Sequence, residues 1–356
     1  MIPALFENGV TSVLKADWTL KLETPLCIRN GSHSAFRSTA GGNEGKKTRN
    51  VKMGYRFNGD SGGDWSQVSE AAFCVAVENG RAVPRYRVSA KSVRGAIRSW
   101  TITHLVPEEF HVLFTETNKA PADKEAAKKA ADERGAKWDE AENDPGFRLV
   151  WDLFGGVIGG DDKAAGQKLR AGRLSCVTEP LNGKSEKPFV QGQDWHQGAG
   201  GSFGPDNAIR HLTVRGPLDR ITQAAKSGGL HQFVELSPGQ SFKVSFRVAN
   251  PRPEHLGLFA LWQREIDSGM LRMGGLSSIG RGRMTVETAS YVLAGKKGCL
   301  ADFEAFQGSE TVSDLFSDFW DIRRLFVNAP ESPANALEIL RGLLTGQPAP
   351  GAVKEA

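Results

Sequence analysis

Two stretches of the chain alternate apolar and polar residues with the period of a half-buried strand. In residues 17–23, DWTLKLE, Trp18, Leu20 and Leu22 fall on one face, and the extended run continues through Pro25 to Ile28. In residues 242–248, FKVSFRV, Phe242, Val244, Phe246 and Val248 do the same. Helical spacing takes over after residue 89, where Val93, Ala96, Ile97, Trp100 and His104 repeat until Leu105-Val106-Pro107. A second helix opens at Pro253, carries Leu256, Phe259, Ala260, Trp262 and Ile266, and closes at Gly269. Shorter signals lie between: an apolar run at 71–77 with a turn at Glu78-Asn79-Gly80, helical order at 147–153 stopping at Phe154-Gly155-Gly156, and strands at 169–177 and 284–290. Residues 211–233 read as a hairpin-like segment.

Three intervals break the periodicity. Residues 29–65 are rich in Gly, Ser, Asn, Lys and Arg, so they are expected to form a long irregular loop. Residues 116–145 mix both charge signs with few apolar positions, which predicts a solvated helical excursion. Residues 182–207 again read as loop. Beyond residue 300, helical segments are expected at 303–306, 315–326 and 334–344, followed by a disordered tail over 345–356.

The order strand, helix, strand, then strand, helix, strand predicts an α+β fold: a ferredoxin-like, RRM-like core. That core spans residues 1–300, with insertions at about 29–70, 116–146 and 182–235, and the C-terminal helical segments occupy 301–344.

Composition narrows the class. Lys and Arg number 45 and Asp and Glu 41, a formal net charge of +4, so any nucleic-acid surface must come from local clustering. Four well-separated cysteines, Cys27, Cys74, Cys176 and Cys299, form no CxxC pair, which points away from a disulfide framework and toward a reducing cytoplasm. No run of about 18 apolar residues could span a membrane, and the first residues lack a signal-peptide pattern. The expectation is a soluble cytoplasmic protein with no membrane partner.

Charge does cluster at residues 81–98, RAVPRYRVSAKSVRGAIR, which hold Arg81, Arg85, Arg87, Lys91, Arg94 and Arg98 and no acid. Ser89 or Ser92 can cap the helix that begins there. A helix N-terminus normally recruits Asp or Glu, yet this one carries Lys91 and Arg94, with Arg98 one turn on, where like charges repel. Either an anion comes from outside, for which helix N-termini are natural phosphate sites, or neighbours elsewhere in the fold neutralise the cations. Residues 269–283, GMLRMGGLSSIGRGR, make a second candidate: five glycines, two serines and three arginines between a helix and a strand. Glycines admit close backbone approach, and consecutive N–H groups can cradle phosphate. The GxxxxGK[ST] spacing of a nucleotide P-loop is missing. His196 and His211 lack metal-ligand spacing.

These residues resemble a family. VSAKSVRGAIR (88–98) is similar to the "IPGSSLKGALR" element of the RAMP superfamily of CRISPR-associated proteins, with Arg94 in place of its lysine. GPLDRITQAA (216–225) resembles the "ENxIDRITGxA" thumb segment of type III backbone subunits. LFGG (153–156) with the strand at Arg173 resembles their "LFG…RL" step, and GGLSSIGRGR (274–283) their "LGGxGSRGyG" loop. The four occur in the family's order from about Trp18 to Glu287.

The resemblance implies a modified RRM core with palm, thumb and finger-like loops, whose copies or paralogues stack along a CRISPR RNA. The helix N-terminus and glycine loop would hold guide phosphates through Arg29, Arg87, Lys91, Ser92, Arg94, Arg98, Arg220, Gly275, Ser277, Ser278 and Arg281, and the thumb would kink the guide–target duplex. Sequence reading would then fall to base pairing. Catalytic members carry a loop aspartate that promotes metal-dependent cutting of complementary target RNA. The candidates here are Asp64 and Asp60 in GDSGGDW, with Glu70 behind them and His33 as a partner. Asp64 is the expected ligand of Mg²⁺ or Mn²⁺. Each aspartate also suits a turn beside glycine, and the loop is longer than the family's.

Three roles remain open from sequence. The chain is a guide-binding subunit that also cuts target RNA, a binding subunit of the same effector complex without chemistry, or an endoribonuclease that processes the guide precursor through His33 or His104. An unrelated RRM-like protein fits less well, because the aromatic stacking pattern of RNP strands is missing.

Overall fold

The first alternating stretch becomes a strand that begins earlier than its pattern predicts. Ser12, Leu14, Ala16, Trp18, Leu20 and Leu22 face the core while every residue between them stays half-exposed. A computed structural model of the 356-residue chain describes residues 9–39, 50–54, 65–71, 73–114, 124–158, 168–181, 194–195, 202–203, 210–215, 231–295, 299–300, 302–303, 307–312, 321–325 and 332–346. Along the chain come β1 (Ser12–Leu22), β2 (Arg29–Thr39), β3 (Asn50–Gly54), β4 (Trp65–Ala71), β5 (Phe73–Glu78), β6 (Arg81–Tyr86), α1 (Ala90–Leu105), α2 (Lys124–Ala141) and α3 (Pro145–Phe154). Then follow β7 (Gly155–Ile158), β8 (Lys168–Ala171), β9 (Leu174–Thr178), β10 (Asp194–Trp195), β11 (Ser202–Phe203), β12 (Arg210–Arg215) and β13 (His231–Leu236). The last elements are β14 (Ser241–Ala249), α4 (Pro253–Asp267), β15 (Met284–Gly295), β16 (Gln307–Val312), β17 (Asp321–Leu325) and α5 (Ser332–Thr345).

The fold is α+β. Its main sheet runs β16-β17-β15-β1-β14-β9, each neighbouring pair antiparallel. The path β1, α1, β9, β14, α4, β15 is strand, helix, strand, strand, helix, strand, as the periodicity predicts. The two most regular strands in the sequence lie side by side at the centre, with Trp18 opposite Val244 and Leu20 opposite Phe242. The helices share the face that holds the aromatic core. Trp18 stands edge-on to Phe246 at 5.1 Å and to Phe259 of α4 at 5.7 Å. Its Nε1 donates to the buried Tyr291 hydroxyl of β15 (3.0 Å). Trp262 of α4 donates to Thr101 Oγ1 of α1 (2.9 Å), so the two helices are joined through a satisfied buried polar pair.

Residues 29–65 correct the expectation of an irregular loop. β2 and β3 pair antiparallel, and β4 flanks β2 on its other edge. With β10 to β13 they build a second sheet, ordered β10-β3-β2-β4-β13-β12-β11. Ladder hydrogen bonds need no apolar alternation, which is why this polar, Ser- and Gly-rich segment gave no strand signal. Two insertions far apart in sequence thereby become one layer. Residues 211–233 follow the hairpin expectation in part, because β12 and β13 pair antiparallel while 216–230 lie outside the described residues.

Two further expectations change. Residues 321–325, expected to be helical, form β17 between β15 and β16, where ladder pairing on both sides overrides local spacing. The 124–141 helix is exposed along most of its described length but not solvated throughout: Trp138 and Ala141 are buried. Trp138 meets Phe147 at 5.3 Å and Trp151 at 4.8 Å, so one aromatic in its last turns docks it on α3. Of the disordered tail expected at 345–356, Thr345 instead ends α5, and residues 347–356 lie outside the described residues. Among those described, no helix is long and apolar enough to cross a membrane.

Candidate nucleic-acid interface

The antiparallel register fixes what sits at each end of the main sheet. Leu22 at the end of β1 pairs with Met284 at the start of β15, and Lys21 pairs with Ser241 at the start of β14. Val244 pairs with Thr178 at the end of β9. The start of α1 is bound to that same end of β9, since Leu181 N donates to Tyr86 O and Thr178 Oγ1 donates to Val88 O (2.6 Å). The N-terminus of α1 and the glycine loop before β15 therefore emerge at one end of the sheet.

Ser89 occupies the N-cap of α1 in extended backbone, and its side chain makes no capping hydrogen bond. No acid lies in the first turn. The positive end of this 16-residue helix is thus left without a side-chain acceptor of its own. Lys91 is exposed and makes no ion pair among the described residues, and Ser92 is half-buried.

The other cations of this segment have work inside the fold. Arg87 Nε donates to Thr178 Oγ1 (3.0 Å). Arg94 Nη2 donates to Phe154 O (2.6 Å), and its guanidinium lies 5.6 Å from the Phe154 ring. It thereby caps the last carbonyls of α3, where the helix dipole favours a cation. Arg98 lies 5.6 Å from the ring centre of Phe114. For these three, neighbours in the fold supply a reason for the charge. Arg87 and Arg94 also border Cys176, although burial dominates there and pushes its thiol up to about 12.

The glycine loop is zipped to the segment that follows β1. Gly275 N donates to Cys27 O (2.8 Å) and Gly282 N to Pro25 O (3.0 Å), while Met273 N donates to Gly282 O (3.0 Å). Gly282 has a φ of +74°, and a Cβ there would sit 1.8 Å from Met273 O, so only glycine fits. Leu276 and Gly280, both left-handed, bracket a short 3₁₀ turn at Ser277–Ile279. Ser277, Ser278 and Ile279 stand exposed at its tip. Arg272 ties the loop internally, donating to Gly269 O (2.8 Å) and Ser277 O (2.9 Å).

Arg281 Nε lies 3.0 Å from Oε1 of Glu235, which is fully buried at the end of β13. Sequence reasoning missed Glu235, since a lone acid in HQFVEL carries no motif. Its partnership appears only when the second sheet meets the loop, beside the Leu26–Leu236 bridge.

Of the sequence candidates, Lys91, Ser92, Ser277 and Ser278 come to this end of the sheet with accessible polar groups. Arg87, Arg94, Arg98 and Arg281 come with partners, and the Gly275 amide is already bonded. Exposed Arg283 adds a cation, while exposed Glu179 and Glu23 add carboxylates, the latter accepting from Thr285 Oγ1. Arg29 and His33 lie in β2, opposite Ala71 and Ser69 of β4. Glu70 lies in β4. Asp60, Asp64 and Arg220 lie outside the described residues. Among those described, no group of three or more His, Cys, Asp or Glu side chains could hold a metal, and Asp64, the expected ligand of Mg²⁺ or Mn²⁺, lies outside them.

No protein-family model matches the chain, and no curated protein matches it. Among solved structures, a chain of a Type IV-B CRISPR complex aligns over 78% of this chain and 90% of its own length, with 12% identity and a TM-score of 0.39. A likeness of that strength carries no argument about role.

Proposed function

We propose that this chain is a guide-RNA-binding subunit of a CRISPR effector complex, and that guide phosphates lie across the end of the main sheet where α1 begins. The observation that carries the reading is the meeting there of a helix N-terminus without acid or side-chain cap and an exposed, pre-shaped glycine loop. Backbone amides, the Ser277 and Ser278 hydroxyls and the Lys91 ammonium are sequence-blind donors, which suit a protein that leaves base reading to pairing. The four sequence elements similar to RAMP proteins support the same role, and the strand–helix order supports a ferredoxin-like core.

The test is to express the full chain with its neighbouring genes and a repeat–spacer array, then sequence the RNA that co-purifies. Discrete fragments with a repeat-derived end are expected. Absent RNA, or random cellular fragments, overturns the reading. In the assembled complex, Lys91→Ala should make the negative slope of log affinity against log salt shallower by about 0.7 if Lys91 meets a phosphate of single-stranded RNA.

The finer reading is a type III backbone subunit that cuts target RNA next to its thumb, using Asp64 or Asp60 with Mg²⁺ and His33 nearby. It rests on the sequence resemblance. Asp64→Ala and Asp60→Ala, singly and together, are expected to abolish cleavage at this subunit's position while leaving guide retention intact. Undiminished cleavage in the double variant would leave the non-catalytic subunit as the surviving role.

A further inference from the structure

At the opposite end of the main sheet, a cleft of about 550 Å³ opens between α3, β8 and the start of α4. Its polar lining is unbalanced. Arg148, Arg170, Arg173 and Arg252 face two carboxylates, Asp152 and Glu142. Asp152 is 4% exposed and serves as the common partner: Arg173 Nε lies 2.9 Å from its Oδ2, Arg170 bonds its Oδ1, and Arg252 Nη2 stands 3.5 Å away. Among the described residues Arg252 finds only Glu254 otherwise, at 3.9 Å. Both distances exceed the roughly 2.7–2.9 Å of a charge-assisted hydrogen bond, so its guanidinium lacks a close partner. Arg148 is exposed and makes no ion pair among the described residues.

A second observation comes from below the cluster. His255 is fully buried, and its Nδ1 accepts the backbone N–H of Arg252 (3.0 Å), which places the ring proton on Nε2. Among the described residues that Nε2 has no hydrogen-bond partner, and it lies 3.9 Å from the same Asp152 Oδ2. Asp152 thus faces three guanidiniums and an imidazole donor, with Glu254 sharing only Arg252. The positive end of α4 adds to the field.

We infer that this cleft binds the phosphate group of a nucleotide, free or within an RNA chain. Guanidinium forks match phosphate oxygens in pairs, and the charge of a phosphate would offset the excess of one arginine that remains after Asp152, Glu142 and Glu254 are counted. The cleft is of ordinary ligand-pocket size. The half-exposed side chains of Arg170 and Arg252, with Arg148, are the ligand-facing donors, while Arg173 holds Asp152 in place. This site is separate from the proposed guide-binding end and stands or falls independently of it.

The test is thermal unfolding of the full chain with inorganic phosphate, adenosine 5′-monophosphate or a short single-stranded RNA, each against potassium chloride of matched ionic strength. A rise in Tm is expected by linkage. Inorganic phosphate giving the full rise identifies the phosphate ion as sufficient, and a larger rise with the nucleotide places its base in the cleft too. RNA that displaces the nucleotide identifies a chain phosphate. Arg170→Gln with Arg252→Gln should weaken binding about tenfold or more, and Arg148→Ala, which disturbs no ion pair among the described residues, keeps the test alive if the double variant does not fold. Lys91→Ala should leave the nucleotide-induced rise unchanged. The inference is overturned if none of the three probes exceeds the chloride control, or if the folded arginine variants keep the full rise.

Discussion

His255 sits in a place where a charged imidazole cannot be tolerated. Burial, then the guanidiniums of Arg252 and Arg173, hold its pKa down at about 3, against 6.5 for an ordinary histidine. Between those values the unfolded chain binds more protons than the folded one, so the contribution to stability is present in full above about 6.5 and is lost as pH falls toward 3. The slope is at most about 1.4 kcal/mol per pH unit. Urea unfolding at pH 7.5 and 5.0 should show a steeper loss for the native chain than for His255→Asn, whose side-chain oxygen can still accept the Arg252 N–H. Glu235 makes the complementary case. Arg281→Gln would leave a fully buried carboxylate without its guanidinium, and a loss of about 3 kcal/mol in the same assay is expected. Neither His255 nor Glu235 stands out in the sequence, because what makes each unusual is a partner distant along the chain.

Elements divide by how much of their stability is local. β1 and β14 were legible because they bury one face, and a buried face must repeat at the period of its own backbone, whereas α4, buried all round over residues 255–262, was legible from its apolar residues between Pro253 and Gly269. The glycine loop was legible as a loop, and its five glycines were the clue, but its shape is set by Cys27 and Pro25, which no spacing in the loop reveals. Gly282→Ala tests that shape. With Met273 O 1.8 Å from the new methyl and φ at +74°, the loop must shift, and we expect a cost of about 2 kcal/mol together with loss of co-purifying RNA. α1 is the mixed case. Its helical spacing and its missing acids were readable, whereas the destinations of Arg94 and Arg98 were not: the carbonyl at the end of α3 and the Phe114 ring lie in other elements.

In the whole molecule, the central pair β1–β14 carries the aromatic core and both helices close over it. Trp18 touches β14, α4 and β15 at once, so Trp18→Ala should cost about 3–5 kcal/mol and lower the unfolding midpoint without changing α+β content by circular dichroism at 20 °C, if the fold survives. The sequence by itself determined the core: which strands and helices form it, their order, and the two basic or glycine-rich stretches that flank it. Amphipathic periodicity and turn chemistry are local, and each is written within about a dozen residues. The tertiary structure decided the rest. It made a second sheet from two polar insertions, turned 321–325 into a strand paired on both sides, and separated the cations of α1 into internal anchors and the exposed Lys91. It also gathered four arginines from α3, β8, the start of β9 and the start of α4 into one cleft. Ladder pairing and ion pairing are contacts between distant segments, and their partners are fixed only when the chain has closed.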